Sequence, residues 1–259
     1  MKKLIHTMLT TLILLQLFWI ASEGAIPRDN LVLYISMDEG KGDTAKDGSG
    51  NGNDGVLLGN PKWVAGKFGS AIEFDGVDDC IEIANSDSLN PKEITITLWV
   101  ELGVVPAPGY NGIISKWAPN WSGYLIQAYV DHPIEPLVAD GTANFAAIRG
   151  LKGVEQDVWY HVGMVWDGKA LSLYIDGQKP DYDEAASDHE MAGEMNVPEI
   201  SLLIGKRHDQ QFFQGTIDEV MIFNKALSLE DIRFIMEQCL GVASHIGRLS
   251  TTWGTLRKL

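Results

Sequence analysis

The sequence is poor in cysteine and in positive charge. Only two cysteines, Cys80 and Cys239, occur among 259 residues, too few for a four-cysteine zinc site. Lysine and arginine together number 20 against 35 acidic residues, which gives a formal net charge of -15. A surface of that sign repels the phosphate backbone, so we expect no nucleic-acid partner.

Long hydrophobic runs are also scarce, and the clearest one lies at the N-terminus. Lys2 and Lys3 precede an apolar run over residues 9–20, and small residues follow at 21–25. This order is typical of a secretory signal peptide, and the run is shorter than the roughly 20 residues that span a bilayer. We therefore predict a signal over residues 1–24, cleaved after Gly24 or Ala25, and a secreted chain without a membrane span.

Export would place the two cysteines in an oxidising compartment, where two thiols can pair. A bond between Cys80 and Cys239 would join an early strand to the C-terminal end of the domain. Pairing depends on the separation of their Cα atoms, and the sequence leaves both the paired and the free state open.

The chain from residue 31 to residue 223 has the pattern of short strands separated by Gly and Asp turns. The clearest hairpin runs from 159–166 to 171–175 across Asp167 and Gly168, which favour a two-residue turn. One helix follows, with Ser228 and Asp231 as a capping box ahead of an apolar stripe. We predict one all-β jelly-roll sandwich of two antiparallel sheets over residues 30–237, one short C-terminal helix, and a tail over 240–259.

Several segments resemble the laminin-G-like jelly-roll domains of the concanavalin-A-like lectin/glucanase superfamily, in the same order along the chain. They are residues 34–42, 47–53, 66–76, 159–162, 173–177 and 215–228. The resemblance covers about residues 30–237 and implies two antiparallel sheets stacked face to face. It does not identify a ligand, because one fold serves many functions.

Oxygen-bearing side chains suggest a structural calcium ion. Asp47 and Asn51 lie in a Gly/Asn loop, and calcium prefers six to eight oxygen ligands. The resemblance adds Asp38 on the first strand and Asp218 on the last, so that the ion would join both ends of the domain. The alternative is a plain Asn/Gly turn, since both residue types tolerate positive φ.

Aromatic side chains indicate where a ligand would bind. Tyr110, Trp117, Trp121 and Tyr124 cluster around one connection, and sugar rings stack on exposed aromatic faces. Packing in the core or at a hinge is the alternative for these four residues.

The sequence favours a secreted, calcium-stabilised recognition module without catalytic activity that binds carbohydrate or a glycan-bearing surface. An adhesion or scaffold domain that binds an extracellular protein is the second hypothesis. A glycoside hydrolase is the third, but the adjacent acids Asp218 and Glu219 point to opposite faces of a strand. We therefore expect no enzyme activity.

Overall fold

The computed structural model describes residues 28–104, 109–130, 132–185 and 187–242, and their side chains except those of His132 and of residues 238–242. The predicted signal peptide and residues 243–259 of the predicted tail lie outside this part. Within it, no helix is both long enough and apolar enough to cross a membrane.

Two large antiparallel sheets confirm the predicted sandwich. The first sheet has the order β13-β12-β7-β17-β5-β4, and β1 also pairs with β17. Its strands are β1 (Leu31–Ile35), β4 (Lys62–Ala65), β5 (Ser70–Asp75), β7 (Ile94–Leu102), β12 (Trp159–Trp166), β13 (Leu171–Ile175) and β17 (Gln214–Phe223).

The second sheet has the order β11-β10-β9-β8-β14-β6-β3-β2. Its strands are β2 (Thr44–Ala45), β3 (Gly55–Leu58), β6 (Cys80–Ile83), β8 (Tyr110–Ala118), β9 (Ser122–Tyr129), β10 (His132–Asp140), β11 (Phe145–Ala147) and β14 (Leu202–Ile204). A small hairpin of β15 (Lys206–Arg207) and β16 (Gln211–Phe212) follows β14 and lies against β8.

The main core lies between the inner faces of the two sheets. In β7, Ile94, Ile96 and Leu98 are fully or almost fully buried in this core, as the alternation of a strand requires. The residues between them, such as Thr97 and Trp99, lie on the outer face of the first sheet and are buried as well. A second layer therefore covers that outer face.

The single α-helix of the described chain, α1 (Leu229–Val242), supplies this layer. Its capping box forms as predicted: the Asp231 amide donates to Ser228 Oγ at 3.1 Å, and the Ser228 amide donates to Asp231 Oδ2 at 3.0 Å. Ile232 and Ile235 of the apolar stripe are buried in a cluster with Trp99. The helix continues to Val242, past the predicted start of the tail at residue 240.

One local prediction differs from the structure. The connection between β12 and β13 has four residues, 167–170, because the Asp167 carboxylate accepts hydrogen bonds from the Lys169 and Ala170 amides.

The two cysteines lie in different layers of the domain. Cys80 is buried in the second sheet, whereas α1, which contains Cys239, packs on the first sheet. The side chain of Cys239 lies outside the described part, so the disulfide stays a prediction.

Candidate ligand-binding face

Three of the four predicted aromatic residues lie together on the outer face of the second sheet. Tyr110, Trp117 and Trp121 line one cavity of about 130 Å³ along the β8–β9 hairpin. A β-bulge makes this possible, because one extra residue in β8, Ile113, shifts the register between Gly112 and Ile114. Without it, residues seven apart on one strand would point to opposite faces.

Trp121 occupies the tip of the hairpin in a strained conformation. Its φ is 58°, a left-handed value that a bulky side chain rarely adopts. Two backbone hydrogen bonds hold the turn, from the Trp121 amide to the Ala118 carbonyl and from the Gly141 amide to the Trp121 carbonyl. The indole is 44% exposed and contacts Trp117 and Phe145, with ring centroids 6.1 and 5.2 Å away. A strained, exposed aromatic residue is an observation that points to function.

A chain of hydrogen bonds crosses the middle of the same face. Arg207 Nη1 donates to Gln127 Oε1 at 2.8 Å, and Gln127 Nε2 donates to Glu135 Oε2 at 2.8 Å. Arg149 Nε donates to the other oxygen of Glu135 at 2.6 Å. Because Gln127 and Glu135 are almost fully buried, these bonds fix the two guanidinium groups in place.

Aromatic rings lie at both ends of this chain. The Arg149 guanidinium lies 5.2 Å from the Phe145 ring centroid, and the Arg207 guanidinium lies 5.2 Å from the Tyr110 ring centroid. Tyr110 in turn stacks on Tyr129 with centroids 4.6 Å apart. The face therefore combines exposed rings with ordered polar groups, which is the composition of a small-molecule site.

Tyr124 does not belong to this face, and the prediction for it is wrong. It pairs with Lys116 across the hairpin, one position away from the pair of Trp117 and Gly123, so its ring points into the core. Its hydroxyl donates to the Leu89 carbonyl at 3.2 Å, and burial raises its pKa.

The four predicted calcium ligands form two pairs. In the Gly/Asn loop, Asp47 Oδ1 accepts hydrogen bonds from the amides of Tyr34 and Ser49, and Asp47 Oδ2 accepts from the Ser49 hydroxyl and the Asn53 amide. Asn51 donates its side-chain amide to the Leu31 carbonyl at 3.1 Å. These bonds hold the loop against β1, which is the turn-building role given above as the alternative.

Asp38 and Asp218 form the second pair, around residues 66–70. Asp38 Oδ1 accepts from the Ser70 amide at 3.1 Å, and Asp218 Oδ2 accepts from the Phe68 amide at 2.9 Å. Asp218 is fully buried, and its Oδ1 has no hydrogen-bond partner. Burial above all, with the nearby charges of Glu219 and Asp38, raises the pKa of Asp218 to about 8.

An acidic groove lies on the outer face of the first sheet, away from α1. Its volume is about 420 Å³, and Glu73, Glu101 and Thr216 lie side by side on three neighbouring strands at its floor. At its rim, the two carboxylate oxygens of Asp79 accept hydrogen bonds from the backbone amides of Asn60 at 2.7 Å and Asp75 at 3.0 Å. The acids considered for hydrolysis, Asp218 and Glu219, are buried and do not line this groove.

Sequence reasoning missed the polar residues of the candidate face. They come from three different strands and one loop, with no motif spacing: Gln127 from β9, Glu135 from β10, Arg149 from the segment after β11 and Arg207 from β15. Residues of β9 and β10 alternate between the two faces of the sheet. This alternation could have placed Gln127 and Glu135 on the outer face, once the strand pairing was known.

Comparisons with solved structures identify the same fold in binding domains. Domain 4 of AbnA, a GH43 extracellular arabinanase from Geobacillus stearothermophilus, was solved in complex with arabinotriose. It is 18% identical over 80% of this chain and 98% of its own length, with a TM-score of 0.60. The binding domain of Paraclostridial Mosquitocidal Protein 1 is 19% identical over 82% of this chain and 52% of its own, with a TM-score of 0.60.

The binding domain of botulinum neurotoxin DC, solved with rat synaptotagmin II, is 14% identical over 83% of this chain and 52% of its own, with a TM-score of 0.59. The chain thus spans about half the length of the toxin binding domains that it matches. No curated protein matches its sequence. The family model of the concanavalin A-like lectin/glucanases superfamily matches residues 75–233, more than half of the sequence. The chain therefore belongs to the concanavalin A-like lectin/glucanase superfamily.

Proposed function

We propose that the protein is an exported, non-catalytic carbohydrate-binding module whose binding surface is the outer face of the second sheet. The observation that carries this proposal is Trp121, an exposed indole held at a strained φ beside an ordered chain of polar groups. A left-handed backbone costs about 1–2 kcal/mol for a residue with a Cβ, so glycine would be the more stable residue at this turn. A tryptophan there needs another reason.

Carbohydrate is the ligand class that this chemistry fits. The C–H faces of a sugar ring pack on aromatic rings, and its hydroxyl groups exchange hydrogen bonds with amides, carboxylates and guanidinium groups. Trp121 and Tyr110 offer the rings, and Arg149 and Arg207 offer the fixed polar groups. The arabinotriose complex of a domain with the same fold supports this ligand class.

The test is a glycan array followed by calorimetric titration of the best ligand. We expect Trp121→Ala to weaken binding of this ligand by about tenfold or more and to leave the far-UV spectrum unchanged. Trp63→Ala, which removes an indole from the first sheet, is the matched control and should bind normally. Failure to bind any glycan, with a protein captured instead, would contradict this proposal in favour of a protein-binding module.

We propose in addition that Asp38 and Asp218 hold a structural calcium ion. A buried carboxylate oxygen without a partner, such as Asp218 Oδ1, requires a proton or a cation nearby. Asp38 brings a second carboxylate to the same loop, and backbone carbonyls can complete an oxygen shell. Bound calcium would neutralise the two charges and tie the start of the domain to its last strand.

Thermal unfolding with calcium and with excess chelator tests this second proposal. We expect calcium to raise the melting temperature of the wild type and not that of Asp218→Asn. Equal melting temperatures of the wild type in both conditions, with no metal found by elemental analysis, would contradict it. The proposal for the aromatic face does not depend on this result.

A further inference from the structure

The candidate face has two separate groups of aromatic rings. The tryptophan platform consists of Trp117, Trp121 and Phe145 at the closed end of the β8–β9 hairpin. The tyrosine platform consists of Tyr110 and Tyr129 at its open end. A strand advances roughly 3.3 Å per residue, so about 20 Å separates Tyr110 from Trp117 along β8.

Both platforms carry an exposed ring. Trp121 is 44% exposed and Tyr110 is 38% exposed, whereas Trp117 beside the first is 3% exposed. A single sugar ring covers one aromatic side chain at a time. A ligand that contacts both exposed rings must therefore be several sugar units long and must lie along β8.

The strip between the platforms consists of polar groups. It contains the hydrogen-bonded chain of Arg207, Gln127, Glu135 and Arg149. Glu135 is buried, whereas the side chains of Arg149 and Arg207 are 28% and 16% exposed, and each guanidinium group has five N–H donors. Groups of this kind can bind the hydroxyl groups of sugars that bridge the two platforms.

The charges of this strip cancel. Arg149 pairs with Glu135, and Arg207 Nε lies 3.5 Å from Asp209 Oδ1, so two positive charges face two negative ones. The whole chain has a formal charge of -15, which repels anionic polymers at long range. The electrostatics favour a ligand without charge.

We propose that the face binds a neutral, linear oligosaccharide that is long enough to contact both platforms at once. This inference rests on the proposed function and adds the length, shape and charge of the ligand. Short oligosaccharides then contact one platform, and longer ones contact both. The affinity therefore rises with the number of sugar units until both platforms are covered, and then becomes constant.

The experiment uses the full mature chain and linear neutral oligosaccharides of arabinose, xylose, mannose, glucose and galactose, extended one unit at a time. Uronic-acid and sulfated chains of matched length are titrated beside them. The wild type is compared with Tyr110→Ala, Trp121→Ala and the control Trp63→Ala by calorimetry, after circular dichroism has confirmed folding. We expect both face variants to weaken binding of the longest bound chain by about tenfold or more. The shortest bound chain should be sensitive to one of the two variants only.

Three results would contradict the inference in different ways. An affinity independent of chain length, or a Tyr110→Ala variant that binds long chains normally, would mean that a single platform binds the ligand and the proposed function stands. Tighter binding of uronic-acid or sulfated chains would overturn the neutral charge of the ligand. No binding of any glycan would overturn the proposed function itself.

Discussion

The two sheets carry similar alternating strands, but their outer faces have different surroundings. On the first sheet, α1 packs Ile232 and Ile235 against Trp99, and the aromatic residue is 4% exposed. On the second sheet, the described residues include no helix over Trp117 and Trp121, and Trp121 is 44% exposed. Aromatic residues under a helix are explained by packing alone. A group of aromatic residues with an exposed member on an uncovered face marks a candidate surface for a ligand or a partner.

The helix-covered face should be the more important one for stability. Ile232 is fully buried and contacts the position of Gly163, where a Cβ would lie 3.0 Å from the isoleucine side chain. We expect Ile232→Ala to lower the free energy of unfolding by about 3–4 kcal/mol, because it leaves a cavity between α1 and the sheet. Urea unfolding measures this loss. Glycan affinity of the folded variant should stay at the wild-type value. A loss of affinity would mean that the helix-covered face also contributes to binding.

The first sheet should also confer a pH dependence through Asp218. Its pKa is about 8 in the folded chain, against an ordinary value of 3.8. Between those values the folded chain keeps a proton that the unfolded chain has released, so stability falls as the pH rises from about 4 to about 8.

Asp218→Asn removes this dependence. In chelator, we expect the free energy of unfolding of the wild type to fall by roughly 5 kcal/mol more than that of the variant over this window. Denaturant titrations of both proteins at several pH values measure this difference in unfolding free energy. The contributions of all other titrating groups are the same in both proteins and cancel. Parallel pH profiles would mean that Asp218 is solvated or paired in solution.

On the uncovered face, the largest stability effect should come from the ion pair beneath the rings. Glu135 is 1% exposed and accepts a hydrogen bond from Arg149 at 2.6 Å. Arg149→Met leaves this carboxylate buried with the Gln127 amide but without its charged partner, and should lower the free energy of unfolding by about 2 kcal/mol. Lys152→Met, which removes an exposed pair with Asp181, is the control and should change stability by less than about 1 kcal/mol. Equal effects would indicate that water solvates Glu135.

The smallest stability effect should follow loss of the most exposed ring. Trp121→Gly relieves the left-handed φ of 58° and loses the contacts with Trp117 and Phe145. These effects oppose each other, so we expect the free energy of unfolding to change by less than about 1 kcal/mol. Binding of long glycans should nevertheless weaken by about tenfold or more. A large loss of stability would instead assign Trp121 to packing.

The fold could be predicted from the sequence because its signals are local. Alternation in β7 and the capping box of Ser228 and Asp231 each lie within a few neighbouring residues. The sequence predicts too short a turn after β12, because the Asp167 carboxylate accepts the Lys169 and Ala170 amides in addition to the backbone bond from the Asp167 amide to the Ala170 carbonyl.

The candidate site was only partly predictable because its geometry depends on register. The bulge at Ile113 brings Tyr110 and Trp117 to one face, and the same alternation sends Tyr124 to the core. No composition pattern distinguishes these outcomes, since a shift of one residue reverses every side chain of a strand. Arg149 and Arg207 reach this face through hydrogen bonds to Glu135 and Gln127, which are distant in sequence, so no local pattern predicts them.

Individual indole N–H signals in nuclear magnetic resonance spectra, followed during titration with the best array glycan, report which sheet binds the ligand. Substitution of each tryptophan assigns its signal. If the outer face of the second sheet binds carbohydrate, the signals of Trp121 and Trp117 shift, and those of Trp63 and Trp99 on the first sheet stay in place. Shifts at Trp63 with none at Trp121 would instead place the binding surface on the first sheet, and the proposed binding face would be wrong.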